Sequence, residues 1–344
     1  MKPVSALAAA GGSRARQVIR SGRRLMIFGG RAHPALAKGI AAKLGVELGA
    51  IKLKTFANSE VYCRIEESIR GAGVFLVQPT CANPEAGMSA NDSLMELLVM
   101  ADAVVGASAH RVVAVTPWFG YSRQDKKSAP REPISSRLVA KTMEAAGIDR
   151  VVTMDLHAGQ VQGFFEVPVD HLTAMMSLGE HIRAADLGRE LVVVAPDAGR
   201  VKLNKKFASR LGADLALLDK DRPEQQIATI GAVIGDVAGK TAIIVDDMID
   251  TAGTLRAAGE AVMAAGAESV HAAATHGLFS GAAYENLAAA PFERIVVTDT
   301  VPLPPGAPDF VEVCSCTNLL ADSVSRIFTG DSVSEVFEGQ NQVF

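Results

Sequence analysis

From residue 25 onward, short apolar runs alternate with stretches in helical spacing. Segments 25–28, 61–65, 74–78, 111–116 and 150–154 read as strands. Between them, 34–44, 92–107 and 134–146 place apolar residues three and four apart, as helices do. The second half repeats the rhythm. Strands are predicted at 191–195, 215–218, 241–245, 270–275 and 294–298, and helices at 201–211, 253–265 and 318–328. Runs such as Leu191-Val-Val-Val-Ala195 do not alternate with polar residues, which marks strands covered on both faces in a parallel sheet. The pattern predicts two α/β units of similar size, with a seam between residues 167 and 178. No low-complexity linker divides them, so tight packing of the halves is expected.

Composition narrows the class. A chain of 344 residues suits about two domains. With 49% hydrophobic and 21% charged residues it is globular, which sets aside collagen, long disorder and coiled coil. No apolar run approaches the ~20 residues of a membrane helix. Lys and Arg number 34 against 38 Asp and Glu, a formal net charge of -4, so the basic footprint of a nucleic-acid binder is absent. Residues 1–24 carry Lys2, Arg14, Arg16, Arg20, Arg23 and Arg24 and no acid, and read as a basic, disordered tail. The four cysteines, Cys63, Cys81, Cys314 and Cys316, form neither a disulfide framework nor a C-x-x-C pair. They read as reduced thiols of a cytoplasmic protein, with Cys314 and Cys316 on one face of a strand.

Residues 241–254, Thr-Ala-Ile-Ile-Val-Asp-Asp-Met-Ile-Asp-Thr-Ala-Gly-Thr, carry the most chemistry. An apolar strand ends in two acids, then a turn of small residues, then an Ala-rich helix. Backbone N–H groups of the turn and the helix N-terminus make an anion site. Asp246 and Asp247 would repel a phosphate, so they suit sugar hydroxyls or a bound cation. A phosphorylated sugar with two free hydroxyls fits both halves of the string. The string resembles the phosphoribosyl-binding loop of type I phosphoribosyltransferases.

Further strings narrow that resemblance. They are Phe56-Ala-Asn-Ser-Glu60, Arg64-Ile-Glu-Glu-Ser-Ile-Arg-Gly71, Phe119-Gly-Tyr-Ser-Arg-Gln-Asp-Lys-Lys127 and Met154-Asp-Leu-His-Ala-Gly-Gln160. Ala195-Pro-Asp-Ala-Gly199 and Thr275-His-Gly-Leu-Phe-Ser-Gly281 join them. In this order, from about residue 25 to 337, the chain resembles the ribose-phosphate pyrophosphokinases (phosphoribosyl pyrophosphate synthetases). The resemblance implies an α/β fold of two similar phosphoribosyltransferase-like domains, each with a central, mainly parallel sheet flanked by helices. Residues 25–170 would form the ATP side and 171–344 the ribose 5-phosphate side. The implied reaction moves the β,γ-diphosphoryl group of ATP to the anomeric hydroxyl of ribose 5-phosphate, for nucleotide biosynthesis. The implied cofactor is Mg2+, and the implied assembly a hexamer built from dimers.

Roles follow by resemblance, residue by residue. Phe56, Asn58, Ser59, Glu60, Arg123 and Gln124 match ATP-binding positions. His157 and Asp197 match a magnesium-associated pair. Lys220 and Arg222 match the start of a mobile catalytic loop, with Arg222 also placed toward ribose 5-phosphate. Asp246 and Asp247 match the holders of the ribose hydroxyls, and Asp250, Thr251, Ala252, Gly253 and Thr254 the 5-phosphate turn. Ser68, Arg70 and Ser315 match positions tied to regulation by phosphate and ADP. The chain also departs from the family pattern. Asn58-Ser59 replaces the usual Asp-Gly, Arg200 a usual second Gly, Pro79 a usual Ser, and about five extra residues lie between Cys81 and Asp92. Two alternatives remain at this level: a phosphoribosyltransferase, and a catalytically silent homologue that associates with active subunits.

Overall fold

A computed structural model describes residues 19–20, 23–188, 190–224 and 227–337. The side chains of 19–20, 220–224 and 227–231 lie outside that description, as does nearly all of the expected basic tail. The first half runs β1 (Ile19–Arg20), β2 (Arg23–Gly29), α1 (Pro34–Leu44), β3 (Ile51–Thr55), β4 (Val61–Ile65), β5 (Gly73–Val77), α2 (Ala90–Gly106), β6 (Arg111–Val115), α3 (Ser135–Ala145), β7 (Arg150–Met154) and β8 (Val169–Leu172). Its sheet has the order β1-β2-β5-β6-β7-β8, parallel from β2 to β8. Strands β3 and β4 form a separate antiparallel hairpin.

The second half runs α4 (Met175–Ala184), β9 (Leu191–Ala195), α5 (Val201–Leu211), β10 (Asp214–Glu224), β11 (Ile227–Ile234), β12 (Thr241–Ile249), α6 (Gly253–Ala264), β13 (Ser269–Gly277), α7 (Ala283–Ala288), β14 (Phe292–Thr298), β15 (Val311–Cys314) and α8 (Thr317–Thr329). Its sheet has the order β11-β10-β9-β12-β13-β14-β15, antiparallel at the β10–β11 pair and otherwise parallel. The expected α/β architecture of two mainly parallel sheets with flanking helices is present.

Local chemistry accounts for the element ends. Pro34 opens α1, where a missing N–H costs nothing, and Gly45 closes it in the left-handed conformation. Ser89 and Asp92 exchange side-chain and backbone hydrogen bonds in a capping box that starts α2. One apolar core joins the halves: Ile27, Leu36, Val77 and Leu172 from the first pack with Val193, Phe207, Val245 and Leu320. The last helix, α8, packs back on α1, and a Cβ at Gly39 would stand 3.0 Å from Thr317 Cγ2. The halves are therefore tightly packed, as the missing linker led one to expect.

β8 keeps the first sheet running to Leu172, inside the expected seam of residues 167–178. Several expectations change. β12 continues through both acids to Ile249, so Asp246 and Asp247 stand within a strand rather than after it. The expected loop at Lys220 and Arg222 is a strand pair, with Lys220 opposite Ile230 and Asp221 opposite Thr229. The largely apolar segment 227–234 supplies that partner strand. Cys314 ends β15, whereas Cys316 lies beyond the strand, so the two thiols do not share a strand face. Among the described residues, no helix is long and apolar enough to cross a membrane.

Candidate active site

Parallel strands deliver their functional residues at their carboxyl ends, where ligands of open α/β sheets bind. Arg123 follows β6, His157 follows β7, Asp197 follows β9, and the acid pair and small-residue turn end β12. These segments meet in one cleft lined by Arg123, His157, Asp197, Asp246, Asp247 and the turn at 250–252 with Thr254. Arg200 lies among them. An adjoining hollow adds Asp125, Lys126, Gln160 and Lys202, a mixed but cation-bearing wall.

The turn is held from outside. Asn286 Nδ2 donates to Thr251 O at 2.8 Å. Ala252 takes the left-handed conformation at φ 59 and serves as the N-cap of α6. A non-glycine residue there costs about 1 kcal/mol, and its small side chain keeps that cost low. Gly253 then begins the helix, whose first N–H groups have no partner within it.

The acids face a cation and an imidazole. Asp247 is buried, with Oδ2 2.8 Å from His157 Nδ1 and 2.5 Å from Arg200 Nη2. Arg200 Nε lies 3.4 Å from Asp246 Oδ1, and the Asp247 N–H donates to that oxygen at 2.8 Å. Burial and the neighbouring Asp247 charge push the Asp246 carboxyl well above the usual range. Burial acts the same way on Asp247, but its His157 hydrogen bond and the Arg200 charge outweigh it and hold that carboxyl low. One acid of the pair thus stays charged while its neighbour resists ionisation. Asp197 Oδ1 accepts from the Arg200 N–H at 3.2 Å, which fixes the turn that presents both residues.

A buried layer beneath the cleft ties the halves together. Asp155, at φ 36, accepts at Oδ2 from Ala174 N (2.8 Å) and Thr275 Oγ1 (2.6 Å). His276 lies 2.9 Å from Thr300 Oγ1 and 3.1 Å from the Met154 carbonyl. Burial lowers the pKa of His276 and of His171, so both sit neutral in the core. The strings containing Asp155 and His276 stood out in the sequence, but nothing there showed that they meet. Lys126 lies in another such string but had no role of its own, and Lys202 was not singled out, because a lysine on a helix carries no signature.

Other expected site residues lie elsewhere. Phe56, Asn58, Ser59 and Glu60 form the exposed tip of the β3–β4 hairpin and do not line this cleft. Phe56 packs edge-on to Tyr62 at 5.8 Å, with Lys54 Nζ 4.5 Å from its ring. Ser59 stands at φ 71, where the family's usual Gly carries no strain. Gln124 also leaves the cleft: its Oε1 accepts from Ser135 Oγ at 2.6 Å, at the start of α3. Ser68 and Arg70 are exposed on the turn before β5, and Ser68 O accepts from Arg24 Nη2 at 2.7 Å. Ser315 Oγ donates to Asp299 Oδ2 at 2.5 Å in the loop before α8. The side chains of Lys220 and Arg222 lie outside the described residues.

Comparison with known proteins matches this geometry to a family. Residues 25–147 match the N-terminal domain of ribose phosphate pyrophosphokinase, and 229–338 the phosphoribosyl synthetase-associated domain. A ribose-phosphate pyrophosphokinase of Chlorobaculum tepidum is 45% identical over 92% of this chain and 96% of its own length. Its counterpart in Caldanaerobacter subterraneus subsp. tengcongensis is 48% identical over 91% of this chain and 98% of its own. The crystal structure of phosphoribosylpyrophosphate synthetase from Mycobacterium smegmatis superposes with a TM-score of 0.83 at 42% identity, covering 89% of this chain and 99% of that one. A two-sheet α/β enzyme with an acid pair, a small-residue turn and near-complete coverage of its relatives, this chain belongs to the ribose-phosphate pyrophosphokinase family.

Proposed function

We propose that this chain carries out the reaction its family is named for, transfer of a diphosphoryl group from ATP to ribose 5-phosphate. The observation that carries the reading is the junction of a hydroxyl-binding acid pair, a phosphate turn and a cation-bearing hollow in one cleft. The 5-phosphate fits the turn of Asp250, Thr251, Ala252, Gly253 and Thr254, where backbone N–H groups and two hydroxyls donate. Asp246 and Asp247 then accept from the ribose hydroxyls. That fixes the anomeric oxygen toward the hollow, where Arg123, Lys126 and Lys202 face the triphosphate. The anomeric oxygen forms a bond to the β-phosphorus as the bond from that phosphorus to the α–β bridging oxygen breaks, and AMP leaves. Every reacting oxygen is anionic or becoming so, and catalysis rests on alignment and positive charge rather than on a covalent nucleophile.

Mg2+ is the expected cofactor. Among the described residues, no three His, Cys, Asp or Glu side chains are grouped to hold an ion by themselves. One imidazole and nearby carboxylates suit an ion that takes its remaining ligands from phosphate and water. His157 and Asp197 would hold it, and it would neutralise the charge developing on the transferred diphosphate.

The hairpin residues Phe56 to Glu60 serve the adenine across an interface between copies of the chain, since they stand exposed and away from the cleft. This supports an oligomer, with a hexamer built from dimers as its form. Regulation by phosphate or ADP falls to Ser68, Arg70 and Ser315, on surfaces apart from the cleft. Four free thiols suit work in the reducing cytoplasm.

The test is product analysis with ATP, ribose 5-phosphate, Mg2+ and phosphate. AMP and phosphoribosyl pyrophosphate should form in equal amounts, and only with ribose 5-phosphate present. No AMP, with or without phosphate, overturns the reading.

A further inference from the structure

Arg200 occupies the space in front of the acid pair. Its side chain is 13% exposed, and Nη2 stands 2.5 Å from Asp247 Oδ2 while Nε stands 3.4 Å from Asp246 Oδ1. The same Nη2 lies 3.1 Å from His157 Nδ1 and donates to the His157 carbonyl at 3.4 Å. Asp247 Oδ2 is therefore shared by a guanidinium and an imidazole. The backbone at Arg200 is in the ordinary right-handed region, so the position demands no special residue. What fixes the side chain here is charge.

A divalent cation held by His157 and Asp197 would stand about 2.1 Å from its ligand atoms. It would then lie beside the guanidinium, whose Nη2 is 3.1 Å from His157 Nδ1 and bound to the carboxylate that His157 also meets. Two positive groups that close repel, most strongly at the buried Asp247.

We propose that Arg200, anchored on Asp246 and Asp247, is a resident cation that competes with the divalent ion of His157 and Asp197, so that the ion enters as the guanidinium swings away. This rests on the reading that the ion binds in this cleft. An arriving triphosphate gives the displaced guanidinium a new bidentate acceptor. Ion uptake is then weak in the free protein and strengthened by nucleotide. Arg200 acts through the acid pair and is a positioning residue.

The test is Mn2+ titration of the full chain without substrates, with free Mn2+ read by electron paramagnetic resonance. Arg200→Gln keeps the length and polarity of the side chain without its charge, and Arg200→Gly removes the side chain. Both should bind Mn2+ at least about fivefold more tightly than the wild type, whereas Arg200→Lys should stay close to it. Melting in a chelator should drop in Arg200→Gln, and the gap should close as Mn2+ is added. Equal Mn2+ affinity in wild type and both neutral variants overturns the proposal. His157→Ala and Asp197→Asn separate the two ideas. If they weaken Mn2+ binding while the Arg200 variants do not change it, the cation reading stands and the competition falls. If neither changes it, the ion lies elsewhere and both fall.

Discussion

Arg123 and Asp250 join the two halves directly: Nη1 of the first lies 2.6 Å from Oδ2 of the second, across 127 residues of sequence. Arg123 follows a strand of the first sheet, and Asp250 opens the small-residue turn of the second. The pair spans the mouth of the cleft, and under the proposed function the triphosphate would compete with Asp250 for the guanidinium. The arginine side chain is 55% exposed, and such a pair contributes little stability. Arg123→Ala should therefore shift unfolding by less than about 1 kcal/mol in urea. Its kcat/KM for ATP should fall roughly a hundredfold. A large loss of stability with unchanged kinetics would show a structural tie instead.

The acid pair predicts a trade of stability against function. Asp246 carries a carboxyl held above its usual range by burial and by Asp247. For a raised acid the sign is simple: ionisation is harder folded than unfolded, so the group costs stability at neutral pH and less as pH falls. Asp246→Asn removes that cost but also a hydroxyl acceptor. The melting midpoint of the substrate-free protein at pH 7.5 should rise by about 2 °C, while activity drops steeply. Asp247→Asn should do the reverse to stability, because its low pKa favours the folded state above the unfolded value. That contribution is lost as pH falls through the acidic range. Differential scanning calorimetry of both variants decides it; a midpoint lowered in Asp246→Asn refutes the assignment.

Much of this was legible in the sequence. Strands such as Leu191–Ala195 are runs of Val with no polar break, and burial on both faces leaves no other reading. The turn before α6 was equally clear, because acids, small residues and a helix start follow one another within a few positions. What could not be read depends on contacts far apart in the chain. β3 alternates lysine with half-buried residues and forms only against β4. β11 exists because 227–234 folds back on β10, which turned an expected loop into a strand pair. Arg200 stood out as a departure from the family pattern, yet its grip on Asp247 needs β9 and β12 side by side. The hairpin of Phe56 carries a family signature, and its exposed place away from the cleft could not be foreseen from one chain.

The buried histidines give the protein an acid sensitivity. His276 is buried beneath the site and its pKa is lowered, first by that burial. His171 behaves likewise. A histidine kept neutral when folded takes up a proton readily only when unfolded. Below the unfolded value of about 6.5, acid therefore favours unfolding by up to about 1.4 kcal/mol per pH unit for each such group. His276→Asn loses packing and hydrogen bonds, so it should be less stable than wild type at pH 7.5. Its stability should nevertheless fall less steeply between pH 6.5 and 5. Urea melts at several pH values read both effects, and parallel slopes for the two proteins would remove His276 from the account.

The exposed hairpin makes the last prediction, and it concerns sites shared between copies. Phe56 is 42% exposed on a hairpin that supplies no residue to the cleft of its own chain. A large aromatic ring in water gains by being covered, and an adenine face suits it. Phe56→Ala should leave the urea midpoint nearly unchanged, since the ring packs mainly on Tyr62 and Lys54 at the surface. It should raise the KM for ATP, with little change in the KM for ribose 5-phosphate. If the hairpin reaches a neighbour's cleft, a Phe56→Ala chain still has an intact acid pair, and an Asp247→Asn chain still has an intact hairpin. Co-expressed in equal amounts, the two defective chains would assemble sites at random. About a quarter of these sites would combine a sound hairpin with a sound cleft. With ATP held well below the raised KM, where each variant alone is nearly inactive, activity near that fraction of wild type is the expected outcome. Activity no greater than the sum of the two separate variants would return the hairpin to its own chain's site.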